Sequence, residues 1–259
     1  MTELPTLSNV HVVLVRPIYS RNVGSVSRAM ANIGAGRLIL IDAKCEYNLE
    51  ARQGAAGAQT RLMEATRHNT WDDFYTKETD GIRIAFCGIK KSETDGIGFE
   101  SRLQEYINEI SPARPLYLIF GPEDYGLTND DCQFAHYIHQ LPARGDYSSL
   151  NISHAVLLAL YIADRTYTSH VAQNPEVTPT TISPASLDDS NRSKFYFPEQ
   201  PIKAWLDAIR MDVGNRRTDA YLVLKRYLLK QRPTAKELRI LEAIINQTVR
   251  KLKEVAPKN

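Results

Sequence analysis

Short apolar, β-branched runs alternate with stretches of helical period over the first two-thirds of the chain. Residues 11–15 (HVVLV), 37–41 (RLILI), 83–87 (RIAFC), 116–120 (LYLIF) and 137–141 (YIHQL) predict strands. Helical patterns fall between them, near 22–33, 54–66, 99–110 and 128–134. Strands that are apolar almost throughout, each followed by a helix, predict an α/β fold with a parallel sheet covered on both faces. A longer helix follows from Ser149, with Ile152, Val156, Ala159, Leu160 and Ala163 along one side.

The texture then changes. Between residues 170 and 191 the prolines Pro175, Pro179 and Pro184 punctuate a Thr- and Ser-rich stretch with no apolar period, which predicts a linker. Three helical patterns follow Pro198, at about 201–212, 217–230 and 234–253. Gly214 and Pro233 fall at the breaks, and Thr234 with Glu237 forms a capping box. The expected organisation is an α/β domain over 1–168, a linker over 169–198 and a small helical domain over 199–259.

Composition narrows the class. With 43% hydrophobic and 24% charged residues the 259-residue chain has ordinary globular usage. The longest apolar stretch, 155–163, is far short of the ~20 residues a membrane helix needs. Met1 to Pro5 carries neither a basic start nor a signal-peptide core, so a cytoplasmic location is expected. Cys45, Cys87 and Cys132 are scattered and make neither a disulfide framework nor a metal knuckle. His136 and His139 lie in or beside a strand with no third ligand at useful spacing, so no metal site is expected. His154, on the long helix, reads as a packed or interfacial histidine. The net charge of +2 hides an asymmetry: residues 199–259 carry 14 Lys+Arg against 7 Asp+Glu, a balance of +7, and the remainder is −5. Such a tail meets a polyanion, or is a solvated helical face; charge alone does not choose.

Three segments have the look of chemistry. The first runs from Asn22 to Gly34, after the Arg16-Pro17 turn, with Asn22 as the expected N-cap and Gly34 as the residue that ends the helix. Val23, Val26, Met30 and Ile33 form its apolar stripe, which leaves Arg28 off that face. Asn22 and Arg28 stand roughly 240° apart on the helical wheel, so they share a ligand only at the helix start. Taken alone this is equally a capped surface helix with a solvated arginine. The second segment, from Phe120 to Asp131, runs from a strand into a turn holding Gly121, Glu123 and Gly126, then a short helix capped by Thr128. Ligands of open α/β sheets bind beyond the carboxyl ends of strands. Glu123 there is either catalytic or a carboxylate bonding loop amides. In the third segment, from Leu141 to His154, a strand again ends at a loop; Ser148 or Ser149 is the expected cap, and Ser149 and Asn151 offer neutral donors and acceptors at a helix start.

The Asn-x5-Arg, Phe-Gly-x-Glu-x-x-Gly-Leu-Thr-Asn and Ser-Leu-Asn segments, in this order, resemble the SpoU/TrmH branch of the SPOUT superfamily of RNA ribose 2′-O-methyltransferases, most of all its TrmJ subgroup. The resemblance covers about residues 9–163. It implies a SPOUT fold with a deep trefoil knot toward the C-terminal end of the methyltransferase domain, S-adenosylmethionine as cofactor, a homodimer, and tRNA as substrate, at a cytidine or uridine in position 32 of the anticodon loop. It further implies cofactor contacts from Cys87, Gly88, Ile89, Gly121, Leu141, Ser148, Ser149 and Leu150, with the methyl donor against the Gly121 backbone so that this glycine tolerates no side chain. Arg28 would serve the partner chain's cofactor, and Asn22, Glu123, Ser149 and Asn151 would orient Arg28, ribose and cofactor. Two departures stand out: Cys87-Gly88 where hydroxyl or small residues are usual, and Tyr19-Ser20-Arg21 before Asn22 where Pro-Gly is common. An rRNA methyltransferase, or a non-catalytic RNA-binding relative, is the alternative.

Overall fold

The computed structural model describes residues 7–78, 80–88, 98–142, 149–173, 197–211, 220–230 and 235–255. Six strands, β1 (Val10–Val15), β2 (Leu38–Ile41), β3 (Thr66–His68), β4 (Ile82–Phe86), β5 (Leu116–Phe120) and β6 (Tyr137–His139), form one sheet in the order β3-β2-β1-β5-β4-β6. Every pairing is parallel. β2, β4 and β5 are buried at every position, as near-continuous apolar runs require when helices cover both faces. Connections leave β1 toward β2 on one side, while β5 lies on its other side, with Val12 opposite Leu118. The carboxyl ends of β1 and β5 therefore flank the point where the strand order reverses.

Helix α1 (Ser20–Ile33) buries Val23, Val26 and Met30 and ends at Gly34, whose φ of 79° takes the left-handed conformation. Against it pack α2 (Leu49–Ala55), α3 (Thr60–Met63) and α7 (Ile152–Gln173), whose predicted stripe of Ile152, Val156, Ala159, Leu160 and Ala163 is buried. Helices α4 (Trp71–Lys77), α5 (Phe99–Tyr106) and α6 (Asn129–Cys132) complete this unit.

Several sequence expectations need correction. The helix foreseen over 54–66 is two, α2 and α3, divided where Ala56 turns to a φ of 50°. Strand β3 and helix α4 were not foreseen. Helix α7 runs to Gln173, into the expected linker.

The chain divides into two compact units, Met1–Ser193 and Lys194–Asn259. The second holds α8 (Glu199–Ala208), α9 (Ala220–Lys230) and α10 (Ala235–Val255) around Ile202, Leu206, Tyr221 and Ile245. Gly214, Pro233, Thr234 and the prolines of the expected linker lie outside the described residues. Among the basic residues of these helices, Lys225 is buried, its Nζ 5.6 Å from the Tyr221 ring and 6.0 Å from that of Phe197. It belongs to the packing of the unit and not to a solvated basic face, whereas Lys236 and Arg239 are exposed. Among the described residues no helix is long and apolar enough to cross a membrane.

Candidate functional site

Three strand ends enclose one cavity of about 350 Å³, within the range of small-molecule sites. Cys87 and Gly88 follow β4, the turn from Gly121 to Leu127 follows β5, and Gln140 and Leu141 follow β6; Ser149, Leu150 and Ile152 close it from the start of α7. Phe86, Phe120 and Leu141 supply apolar wall, and Glu123, Asp124, Gln140 and Ser149 are among the polar residues that line it. The β4 end is held by the Cys87 N–H, which donates to the His139 carbonyl at 3.0 Å, and by Gln140 Nε2, which donates to the Gly88 carbonyl at 3.0 Å. A Cβ built on Gly88 meets no atom within 4 Å, so its α-carbon faces open space in a lining position. A flat ligand can approach that backbone closely.

Gly121 is a different case. A Cβ there would lie 2.2 Å from the Leu127 nitrogen and 2.3 Å from the Gly126 carbonyl carbon. The turn folds back on itself, closed by the Gly126 N–H donating to the Pro122 carbonyl at 2.9 Å, with Gly126 at a φ of 68°. The absence of a side chain at Gly121 is first a demand of this turn, and only secondarily of a ligand.

The turn carries Glu123 to the start of α1. One carboxylate oxygen accepts the Ile18 N–H at 3.0 Å; the other accepts Asn22 Nδ2 at 3.0 Å and the Tyr19 N–H at 3.4 Å. Helix starts leave amides unsatisfied, and here a remote carboxylate meets those just before the first turn, where negative charge also suits the helix dipole. Asn22 is therefore not the N-cap that sequence suggests. The cap is Tyr19, its own side chain making no capping bond, and Asn22 sits within the first turn. Asn22 Oδ1 in turn accepts Asn151 Nδ2 at 3.3 Å, and Asn151 Oδ1 accepts the Ser153 N–H at 2.9 Å. Asn151, not Ser149, thus caps α7; Ser148 and Ile89 lie outside the described residues.

The fold brings Glu123, Asn22 and Asn151 into one hydrogen-bonded chain beside the cavity. Arg28 is not part of it: it is exposed on α1 and makes no hydrogen bond or ion pair among the described residues. His154 is exposed, not packed within its own chain. His136 Nδ1 accepts the Arg83 N–H at 2.9 Å. Among the described residues no three His, Cys, Asp or Glu side chains are placed to hold a metal ion.

A second carboxylate of the β5–α6 segment also reaches back to the β1–α1 turn. Asp131 forms the capping box of α6 with Thr128 and accepts Trp71 Nε1 at 3.0 Å and Arg16 Nη1 at 2.9 Å, with a further Arg16–Asp131 contact. Burial by itself raises this carboxyl's pKa, yet the bonds from Arg16, Thr128 and Trp71 outweigh it and hold the pKa at about 2. A depressed carboxyl pKa stabilises the fold above its unfolded value, and that contribution fades as pH falls toward the folded value. Asp131→Asn is expected to cost about 2 kcal/mol at neutral pH, by linkage over a shift of roughly two units. In urea titrations the gap between wild type and variant should close between pH 4 and 2; a gap independent of pH over that window would show the ion pair contributes nothing.

Residues 9–161 match the model of the SpoU rRNA Methylase family. Over 92% of this chain and 91% of its own, a protein of Yersinia pestis named tRNA (cytidine/uridine-2′-O-)-methyltransferase TrmJ is 28% identical. A protein of the same name from Pectobacterium atrosepticum is 29% identical over 93% of this chain and 96% of its own. Among solved structures, TrmJ from Z. mobilis superimposes with a TM-score of 0.67 at 21% identity, covering 92% of this chain and 98% of that one. A probable methyltransferase from Bordetella pertussis covers 64% of this chain and 99% of its own at 25% identity, with a TM-score of 0.55.

Proposed function

Since this chain belongs to the SpoU rRNA Methylase family, we propose that it methylates a ribose 2′-hydroxyl of tRNA, with S-adenosylmethionine as donor, at a cytidine or uridine of the anticodon loop. The observation that carries this reading is the cavity where three strand ends meet, walled by apolar side chains and backbone and flanked by the Glu123–Asn22–Asn151 chain. Two relatives that span more than nine-tenths of this chain carry tRNA and cytidine or uridine 2′-O-methylation in their names. The open space over Gly88 suits a ligand whose recognition depends on backbone, and a deep trefoil knot in this domain is part of the same proposal.

Bound S-adenosylmethionine supplies an electrophilic methyl on sulfur. The protein's part is alignment and charge. Glu123 accepts the Asn22 amide and so fixes which way its Oδ1 faces; Asn151 completes the chain at the start of α7. Guanidinium stays protonated in proteins, so Arg28 acts as an electrostatic stabiliser of the forming alkoxide and its neighbouring phosphate, not as a base. In-line alignment supplies much of the remaining acceleration. A homodimer fits the separation of Arg28 from its own chain's cluster: Leu157 and Tyr161, two exposed apolar residues of α7, lie on the helix that packs beside α1.

The direct test incubates the protein with methyl-labelled S-adenosylmethionine and separate tRNA and rRNA pools, followed by mapping of ribose methylation. Label in tRNA at an anticodon-loop pyrimidine is the expected result. Label confined to rRNA redirects the substrate, and no label in either pool overturns the reading.

The basic tail supplies RNA affinity in this reading. Cations on phosphates release counterions, so binding weakens steeply with salt. Deleting everything after Pro198 should weaken tRNA binding and flatten its salt slope while S-adenosylmethionine affinity is unchanged, with light scattering reporting the oligomeric state. If the shortened protein keeps its oligomeric state and the full tRNA affinity and slope, the tail is a brace and not an RNA ligand.

A further inference from the structure

Two large, half-exposed aromatic side chains stand at one side of the cavity: Tyr125 lines it, and Tyr19 is bonded to the lining residues Glu123 and Asp124. Tyr125, a lining residue, is 59% exposed, and Tyr19 is 50% exposed. Scattered exposed aromatics need no explanation, but these two are fastened to the same turn. Tyr19 donates its hydroxyl to Asp124 Oδ1 at 3.3 Å and its N–H to Glu123, and Tyr125 is the next residue of that turn. The Tyr125 hydroxyl also interacts with Arg16, itself anchored on Asp131. Both rings are thereby tied at their polar tips while half or more of each residue stays exposed.

Resting on the methyltransferase reading above, we propose that Tyr19 and Tyr125 form a stacking seat for the base of the target nucleotide. A ribose whose 2′-hydroxyl enters the cavity leaves its base at the rim, where these rings are. The neighbouring charges favour a base over a phosphate: Glu123 and Asp124 repel the anionic backbone, and the Arg16 guanidinium is committed to Asp131. Stacking uses the π-face common to all bases, so such a seat accepts cytosine and uracil alike, where an edge-reading site would discriminate between them.

The test uses the full chain and the tRNA it methylates. Tyr19→Ala and Tyr125→Ala should each lower kcat/KM for tRNA by about tenfold or more, the range of one lost base–aromatic stack. Calorimetric affinity for S-adenosylmethionine should be unchanged, and Tyr19→Phe and Tyr125→Phe, which keep the ring and lose only its tether, should retain clearly more activity than the alanine variants. A tRNA with an abasic ribose at the target should slow the wild type comparably, and the alanine variants should lose nothing further on it. Alanine variants with wild-type kcat/KM, or phenylalanine variants as poor as alanine ones, would overturn the seat while leaving the methyltransferase reading intact. A wild type that methylates no tRNA defeats that reading itself, and the seat with it.

Discussion

Replacing Arg28 with alanine is expected to abolish methyl transfer while S-adenosylmethionine binds as before. The side chain stands off the buried stripe of Val23, Val26 and Met30, exposed, and spends its charge on no carboxylate among the described residues. An arginine held at a helix surface with no structural partner costs the fold little to remove. Positioned charge at a developing oxyanion is usually worth a factor of 10² to 10³ in turnover, a few kcal/mol. Turnover and cofactor affinity are measured separately; more than about a tenth of the wild-type rate, a loss below ~1.4 kcal/mol, removes Arg28 from the reaction centre. Mixing also tests whether the arginine serves the partner's cofactor. An equimolar mixture of Arg28→Ala chains and chains whose own cleft is blocked should recover about a quarter of the wild-type activity, since about half of the randomly paired dimers are mixed and each of those holds one complete site of its two.

Blocking that cleft is the second large effect, and the two glycines at its edge should behave differently. Gly88→Val projects its side chain into space that holds no atom within 4 Å of the Cβ, so the protein should fold with an unchanged melting temperature and lose cofactor affinity by tenfold or more, over ~1.4 kcal/mol. Gly121→Val drives its Cβ into the backbone of Gly126 and Leu127. Expelling that turn also moves Glu123 from the Ile18 and Asn22 groups it holds, so the expected result is lower stability together with lost affinity. The cofactor is thus not the first reason that Gly121 tolerates no side chain, since the turn itself already excludes one. Normal S-adenosylmethionine affinity in Gly88→Val would place the cofactor elsewhere.

What the sequence made legible was governed by how local each determinant is. β1, β2, β4 and β5 announce themselves because apolar runs buried on both faces need no partner to be recognised. β3 is Thr66-Arg67-His68 at the sheet edge, too short and polar to show a period. Helix α4 did leave a signal, Thr70 three residues before Asp73, whose N–H its hydroxyl accepts at 3.1 Å. The motif residues Glu123, Asn22 and Asn151 were visible, but their arrangement was not. The start of α1 is two residues earlier than Asn22, where the amides of Ile18 and Tyr19 are met by a carboxylate 105 and 104 positions away, which no window of sequence contains. The same distance hid the tie between Arg16 and Asp131, even though the Thr128–Asp131 capping box lies in plain view.

Those long ties have a kinetic side. β1 pairs with β2 through a short connection, but its other neighbour, β5, arrives only after some hundred residues, Val12 meeting Leu118. Closing so long a loop must precede any reward from its contacts, and parallel pairing across it is slow for that reason. The Glu123 and Asp131 bonds to the β1–α1 turn span 105 and 115 positions, and so cannot form before that closure. A nascent chain can thus assemble β1, α1 and β2 early and still own no site. Competence for chemistry arrives late, together with the last central pairing, and a partly folded chain presents an unfinished cleft to any ligand it meets.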